Sequence, residues 1–104
     1  MRRVEAPDHY VALSERDLKT LVLKAAQQFG WIVYHVPMAT MRNGGGSGYP
    51  DLTLARDGEV QWMELKTQVG GLTAQQDYWS KVLPRCHVIR PSDWYSGRVA
   101  ELLV

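Results

Sequence analysis

A chain of 104 residues with a formal net charge of +1 has the size of one domain, residues 1–104, and is not a uniformly basic nucleic-acid glove. Its apolar fraction of 45% against 22% charged residues belongs to a folded domain rather than a disordered one. The single cysteine, Cys86, excludes an internal disulfide and a cysteine-built zinc cage and fits a reducing cytoplasm, and nothing in the chain reads as a secretory signal or a membrane span.

Residues 1–12 show no period and read as an N-terminal arm. Ser14 then caps a helix, with Asp17 at capping-box distance. Leu18, Leu21, Val22, Ala25 and Phe29 mark its apolar face, and Gly30 supplies the left-handed stop. The aromatic and β-branched stretch from Trp31 to Val36 predicts a strand ended by Pro37. A glycine-rich loop follows, including Arg42 and Gly48. Asp51–Ala55 and Val60–Thr67 read as two strands joined at a hairpin tip of Asp57-Gly58. Gly70 and Gly71 break the pattern.

Thr73 and Gln76 have capping-box spacing at the start of a second helix, whose apolar residues are Tyr78, Trp79, Val82 and Leu83. The strand Cys86–Arg90 and a C-terminal helix capped by Ser92 complete an α/β order of α-β-β-β-α-β-α. The second helix is a crossover, which predicts that the strands it joins are parallel.

Strand alternation puts Val60, Trp62, Glu64 and Lys66 on one face of the third strand. A hairpin brings Asp51 close to Glu64. Two carboxylates held together repel, and the proton affinity of one rises unless a cation lies between them. A hard divalent ion such as Mg²⁺ accepts this arrangement, taking one or two carboxylates beside a phosphate. Lys66 next to them can orient or deprotonate a water, or neutralise charge on an attacked phosphate. The set suits phosphodiester hydrolysis. An acid-x-Lys pair alone is common by chance and more often a solvated face or a cross-strand ion pair; Pro50-Asp51 at hairpin distance, after a glycine-rich loop, adds to it. No histidine spacing for zinc is present, and His35 and His87 read as structural.

Pro50-Asp51 followed by Glu64-Leu65-Lys66 resembles the PD-(D/E)xK nuclease signature. The likeness is closest to its VRR-NUC branch, the virus-type replication-repair nucleases, in a stand-alone phage-like form. Glu15 on the first helix, the strand after it, Gly48-Tyr49-Pro50-Asp51, Glu64-Leu65-Lys66 and Gln76-Asp77-Tyr78-Trp79 fall in that family's order, across Ser14 to Arg90. The resemblance implies a restriction-endonuclease-like mixed sheet flanked by helices. It implies Mg²⁺ or Mn²⁺ held by Asp51, Glu64 and the Leu65 carbonyl, with Glu15 joining directly or through water, and Lys66 on the attacking water.

It also implies that Gln76 touches the site or substrate, although a capping box explains Gln76 as well. Glu15 is likewise explained by the helix dipole, and Trp79 fits a core residue better than a base-stacking platform. Arg42 and the glycine loop approach a DNA backbone on this reading, or form a plain linker, and Tyr49 flanks the site. Lys81, Arg85 and Arg90 are candidates for a basic surface.

The implied function is a structure-specific DNA endonuclease, a homodimer resolving Holliday junctions in the cytoplasm of a bacterial or phage-infected cell. The alternatives are a flap or duplex endonuclease, a nickase, a hydrolase of small phosphates, and a non-catalytic DNA-binding module. The C-terminal helix, with Trp94, Tyr95, Val99 and Leu102, is a candidate dimer element.

Overall fold

Asp57 and Gly58 both adopt positive φ, 51° and 81°. This is the backbone of a tight hairpin turn whose twist matches the strands it joins. A computed structural model describes residues 13–35 and 48–104, and the turn there links strand β2 (Leu52–Arg56) to β3 (Glu59–Leu65). Leu52 pairs with Met63, and Arg56 with Glu59. On the far side of β2 lies β1 (Ile32–His35), also antiparallel, with Val33 opposite Leu54. β3 runs parallel to β4 (Cys86–Ile89), and helix α2 (Ala74–Val82) forms the crossover expected from the sequence. The result is an α/β fold with a four-stranded mixed sheet in the order β1-β2-β3-β4.

One face of the sheet builds the core. Helix α1 (Glu15–Gln28) starts where the Ser14 hydroxyl accepts the Asp17 amide at 3.0 Å, and stops at Gly30, φ 86°. It buries Leu18, Val22 and Ala26 against Leu54, Met63 and Leu65. The buried stripe thus ends at Ala26 rather than at Phe29, which stays 40% exposed. Arg56 closes this end. Its guanidinium stacks on Trp31 at 4.2 Å and donates to the carbonyls of Phe29, Leu103 and Val104, capping two helix ends at once.

The C-terminal segment differs from expectation. Gly97 takes φ 90° and divides it into α3 (Pro91–Tyr95) and α4 (Arg98–Leu103). α3 begins at Pro91, with the Asp93 carboxylate accepting the Arg90 amide at 2.7 Å, so Ser92 is not its cap. Val99 and Leu103 are buried in the core and Leu102 packs against it, while Tyr95 remains exposed.

α2 lies over the opposite, more polar face and has no fully buried residue. Gln76, Trp79 and Leu83, at i, i+3 and i+7, are its half-buried stripe. Tyr78 and Val82 are 64% and 53% exposed, contrary to the apolar face read from the sequence. Among the described residues no helix is long and apolar enough to cross a membrane. The N-terminal arm, the strand end at Pro37, and Arg42 with most of its glycine loop lie outside the described residues.

Candidate active site

Asp51 stands one residue before β2, where the register carries it opposite Glu64 on β3. Its Oδ2 accepts the Leu65 amide at 2.8 Å, which aims the carboxylate across the strand pair. The Asp51 carboxyl and amide both lie near enough to the Glu64 carboxyl to act on it. Glu64 is only 4% exposed. A buried carboxyl against a second carboxyl favours the neutral form. Burial first, then the Asp51 charge, push Glu64 up to about 8, with Glu15 adding to the rise and Lys66 opposing it. Burial also raises Asp51, against the pull of the Leu65 amide, Lys19 and Lys66.

Gln76 answers the choice between cap and site by doing both. Its Oε1 accepts the Thr73 amide at 2.9 Å, and the Thr73 hydroxyl in turn accepts the Gln76 amide at 3.1 Å. The remaining Nε2 donates to Glu64 Oε2 at 3.0 Å. The amide can point only one way, since a flip would set nitrogen against N–H and oxygen against carboxylate. The capping box therefore locks the group that holds Glu64.

Gly48 explains the residue before Tyr49-Pro50-Asp51. It has φ 80°, and a Cβ there would lie 2.6 Å from Gln75 Cβ and 2.7 Å from the Gln75 carbonyl carbon. Only glycine lets the entry to β2 pass this close to the first turn of α2. Tyr49 is part of the same packing. Its ring meets Trp79 edge-on at 5.0 Å, and its hydroxyl accepts Trp62 Nε1 at 2.8 Å. Both ring and hydroxyl are thus engaged by the protein, which makes Tyr49 and Trp79 supports for the Asp51 segment rather than open stacking platforms.

Lys66 follows the last residue of β3, one residue beyond the strand rather than inside it. Its amide still donates to Ile89 O at 3.0 Å, so its backbone remains anchored to β4. Its ammonium makes no ion pair among the described residues, though its charge reaches both Asp51 and Glu64. Glu15 is exposed in the first turn of α1 and acts on Glu64 only through its field. Lys19, one turn further, is half-buried and lowers Asp51 through its charge. Sequence reasoning passed over Lys19; the signal was its spacing of four from Glu15, which puts both on one side of α1.

The basic surface is less available than expected. Lys81 pairs with Asp77 at 3.0 Å, Arg85 lies 3.6 Å from Glu59, and Arg90 is turned into backbone carbonyls. Among the described residues no three His, Cys, Asp or Glu side chains converge as a metal cluster. The donor set is the carboxylate pair, with the Leu65 carbonyl between Glu64 and Lys66 in the chain. That pair fits an octahedral ion that keeps most of its waters. The proton that Glu64 retains marks the place where positive charge is wanted. No protein-family model, curated protein or solved structure matches the chain.

Proposed function

We propose that the protein is a metal-dependent DNA endonuclease of the PD-(D/E)xK kind, in its VRR-NUC branch, that hydrolyses phosphodiester bonds and resolves four-way junctions as a homodimer. The observation that carries the reading is the buried Glu64 carboxyl against the half-buried Asp51 carboxyl, oriented by Gln76 Nε2 and the Leu65 amide respectively, with the charge of Lys66 acting on both. A surface ion pair or a solvated strand face has no use for a buried carboxyl set against a half-buried one, each fixed by its own donor.

Asp51 and Glu64 would hold Mg²⁺ or Mn²⁺, with the Leu65 carbonyl as a third ligand and Glu15 reaching the site through water. Such an ion supplies Lewis-acid polarisation and neutralises charge on the attacked phosphate. The chain does the rest. Gln76 limits the rotamers of Glu64, and the Leu65 amide limits those of Asp51. Lys66 Nζ orients the attacking water and stabilises negative charge on the phosphate oxygens. Lys19 adds positive charge on the approach to Asp51.

The test is cleavage of labelled four-way junction, flap, linear duplex and single strand with Mg²⁺, Mn²⁺ or EDTA, with Lys66→Ala alongside. Symmetric, metal-dependent nicks in the junction alone are expected. Cutting of flaps or plain duplex would keep the chemistry and remove the resolvase. Tight binding without cutting under any metal would make the chain a DNA-binding module.

A further inference from the structure

We propose that Arg90 is a positioning residue for Lys66, acting through the turn Thr67–Gly70. This inference rests on the nuclease reading above. The Nη1 atom of Arg90 donates to Gly70 O at 2.6 Å and to Thr67 O at 2.8 Å, with a weaker contact to Gln68 O at 3.4 Å. A guanidinium nitrogen carries two hydrogens, so the two short bonds account for both. A second tie holds the same turn: Gln68 Nε2 donates to Ser92 Oγ at 3.1 Å, and Gln68 Oε1 accepts the Ser92 amide at 2.9 Å.

The turn is fastened directly after Lys66, at the Thr67 carbonyl, and again at Gly70. It folds back towards the lysine stem: Gly70 carries no side chain, and the position a Cβ would take there is 3.8 Å from Lys66 Cδ. The Lys66 backbone is fixed by the neighbour of Arg90, since its amide donates to Ile89 O. The adjacent residues Ile89 and Arg90 therefore act on both sides of Lys66: one holds its main-chain amide, the other holds the Thr67 carbonyl next in the chain and the Gly70 carbonyl of the turn that folds back towards its stem. A lysine has four rotatable bonds and loses much freedom when its ammonium must meet one water or one phosphate oxygen. A main chain fixed at Lys66 and at Thr67 removes part of that cost before substrate arrives.

A lysine at position 90 offers a single point charge in place of a planar fork and cannot reproduce both short bonds. Arg90→Ala should lower the single-turnover cleavage rate about 10- to 100-fold, the scale of a modest misplacement of a reacting group. Affinity for Mn²⁺ and for DNA should stay unchanged, because Asp51, Glu64 and Gln76 are untouched. Arg90→Lys should fall between, guanidinium ion should restore part of the Arg90→Ala rate, and Ser92→Ala should show a smaller loss of the same kind.

Two readouts need no activity. In Arg90→Ala the amides of Gln68 and Gly70 should exchange faster, and the NMR signal of Lys66 Cε should move. Mn²⁺ affinity falling in step with rate would make Arg90 merely structural and overturn the proposal. So would an unchanged rate, or an unmoved Lys66 signal, in an active wild-type background. A wild-type chain that cuts no DNA with any metal removes the nuclease reading, and the catalytic part of this inference with it.

Discussion

Glu64 is a carboxylic acid held against a second carboxyl with almost no water around it. Its folded value of about 8 stands well above the ordinary 4.5. Between those values the folded chain binds more protons than the unfolded chain. Stability is therefore greatest below about pH 4.5 as far as this group is concerned, and is lost as pH rises towards 8. Thermal midpoints in EDTA should fall across that window, and Mg²⁺ or Mn²⁺ should recover the loss most at the alkaline end, releasing protons as it binds. Glu64→Gln keeps the acceptor for Gln76 Nε2 and deletes the charge. It should flatten the slope and stabilise the metal-free protein at pH 8 while abolishing metal binding; an undiminished slope in this variant would remove Glu64 as its source. Lys66 gives the complementary experiment. With no ion pair among the described residues to lose, Lys66→Ala should leave the thermal midpoint and DNA affinity nearly unchanged while cleavage drops by orders of magnitude. Asp51→Asn can still accept the Leu65 amide, so it should fold and yet lose both metal and cleavage. Cutting at the wild-type rate by either variant would show that the site is elsewhere.

At the level of elements, the site is the meeting of a strand entry, a strand exit and a helix start. The entry depends on Gly48. Gly48→Ala forces an L-residue into a left-handed conformation, at about 1–2 kcal/mol. It also drives a methyl into Gln75, so Asp51 and α2 must separate. Denaturant titration should show that loss of stability or more, and cleavage should fall with it. Gly71→Ala is the control, because nothing lies within 4 Å of a Cβ there. Equal effects of the two substitutions would mean that the close approach is unimportant. Much of this level was legible in the sequence because its causes are local. Asp57-Gly58 needs positive φ at both residues, Ser14 and Thr73 cap within three residues, and the period of β3 sets Glu64 opposite in facing to Met63 and Leu65. The misreadings have tertiary causes. Gly97 was hidden inside an amphipathic run, and Tyr78 and Val82 followed helical spacing although α2 covers a polar face. Arg90 resembled a surface cation because the carbonyls it binds are 20 to 23 residues away.

At the scale of the whole molecule, the net charge is only +1, and among the described residues Lys81 and Arg85 are paired with acids and Arg90 with backbone carbonyls, which reduces the cations there that could track a long stretch of duplex. Affinity built on few phosphate contacts falls only gently with salt. On the proposed nuclease reading, preference for a junction would come from geometry, and two-fold symmetry is the simplest source: one carboxylate pair per chain would cut one strand, and a symmetric dimer would present two such pairs to a symmetric branch. This makes subunit mixing informative. A plasmid carrying an extruded cruciform is linearised when both strands are cut within one binding event, and becomes a nicked circle when only one is. Wild-type protein should give linear product. Wild-type protein mixed with an excess of Lys66→Ala, after subunits have exchanged, should shift the product towards nicked circles, because most active subunits then have a dead partner. A monomeric enzyme behaves differently: dilution with the inactive variant slows both products alike and leaves their ratio unchanged. Ca²⁺, which fits oxygen ligands with looser geometry, should support the same complex without turnover, so that binding and subunit composition can be measured on the species that cuts once Mg²⁺ is added.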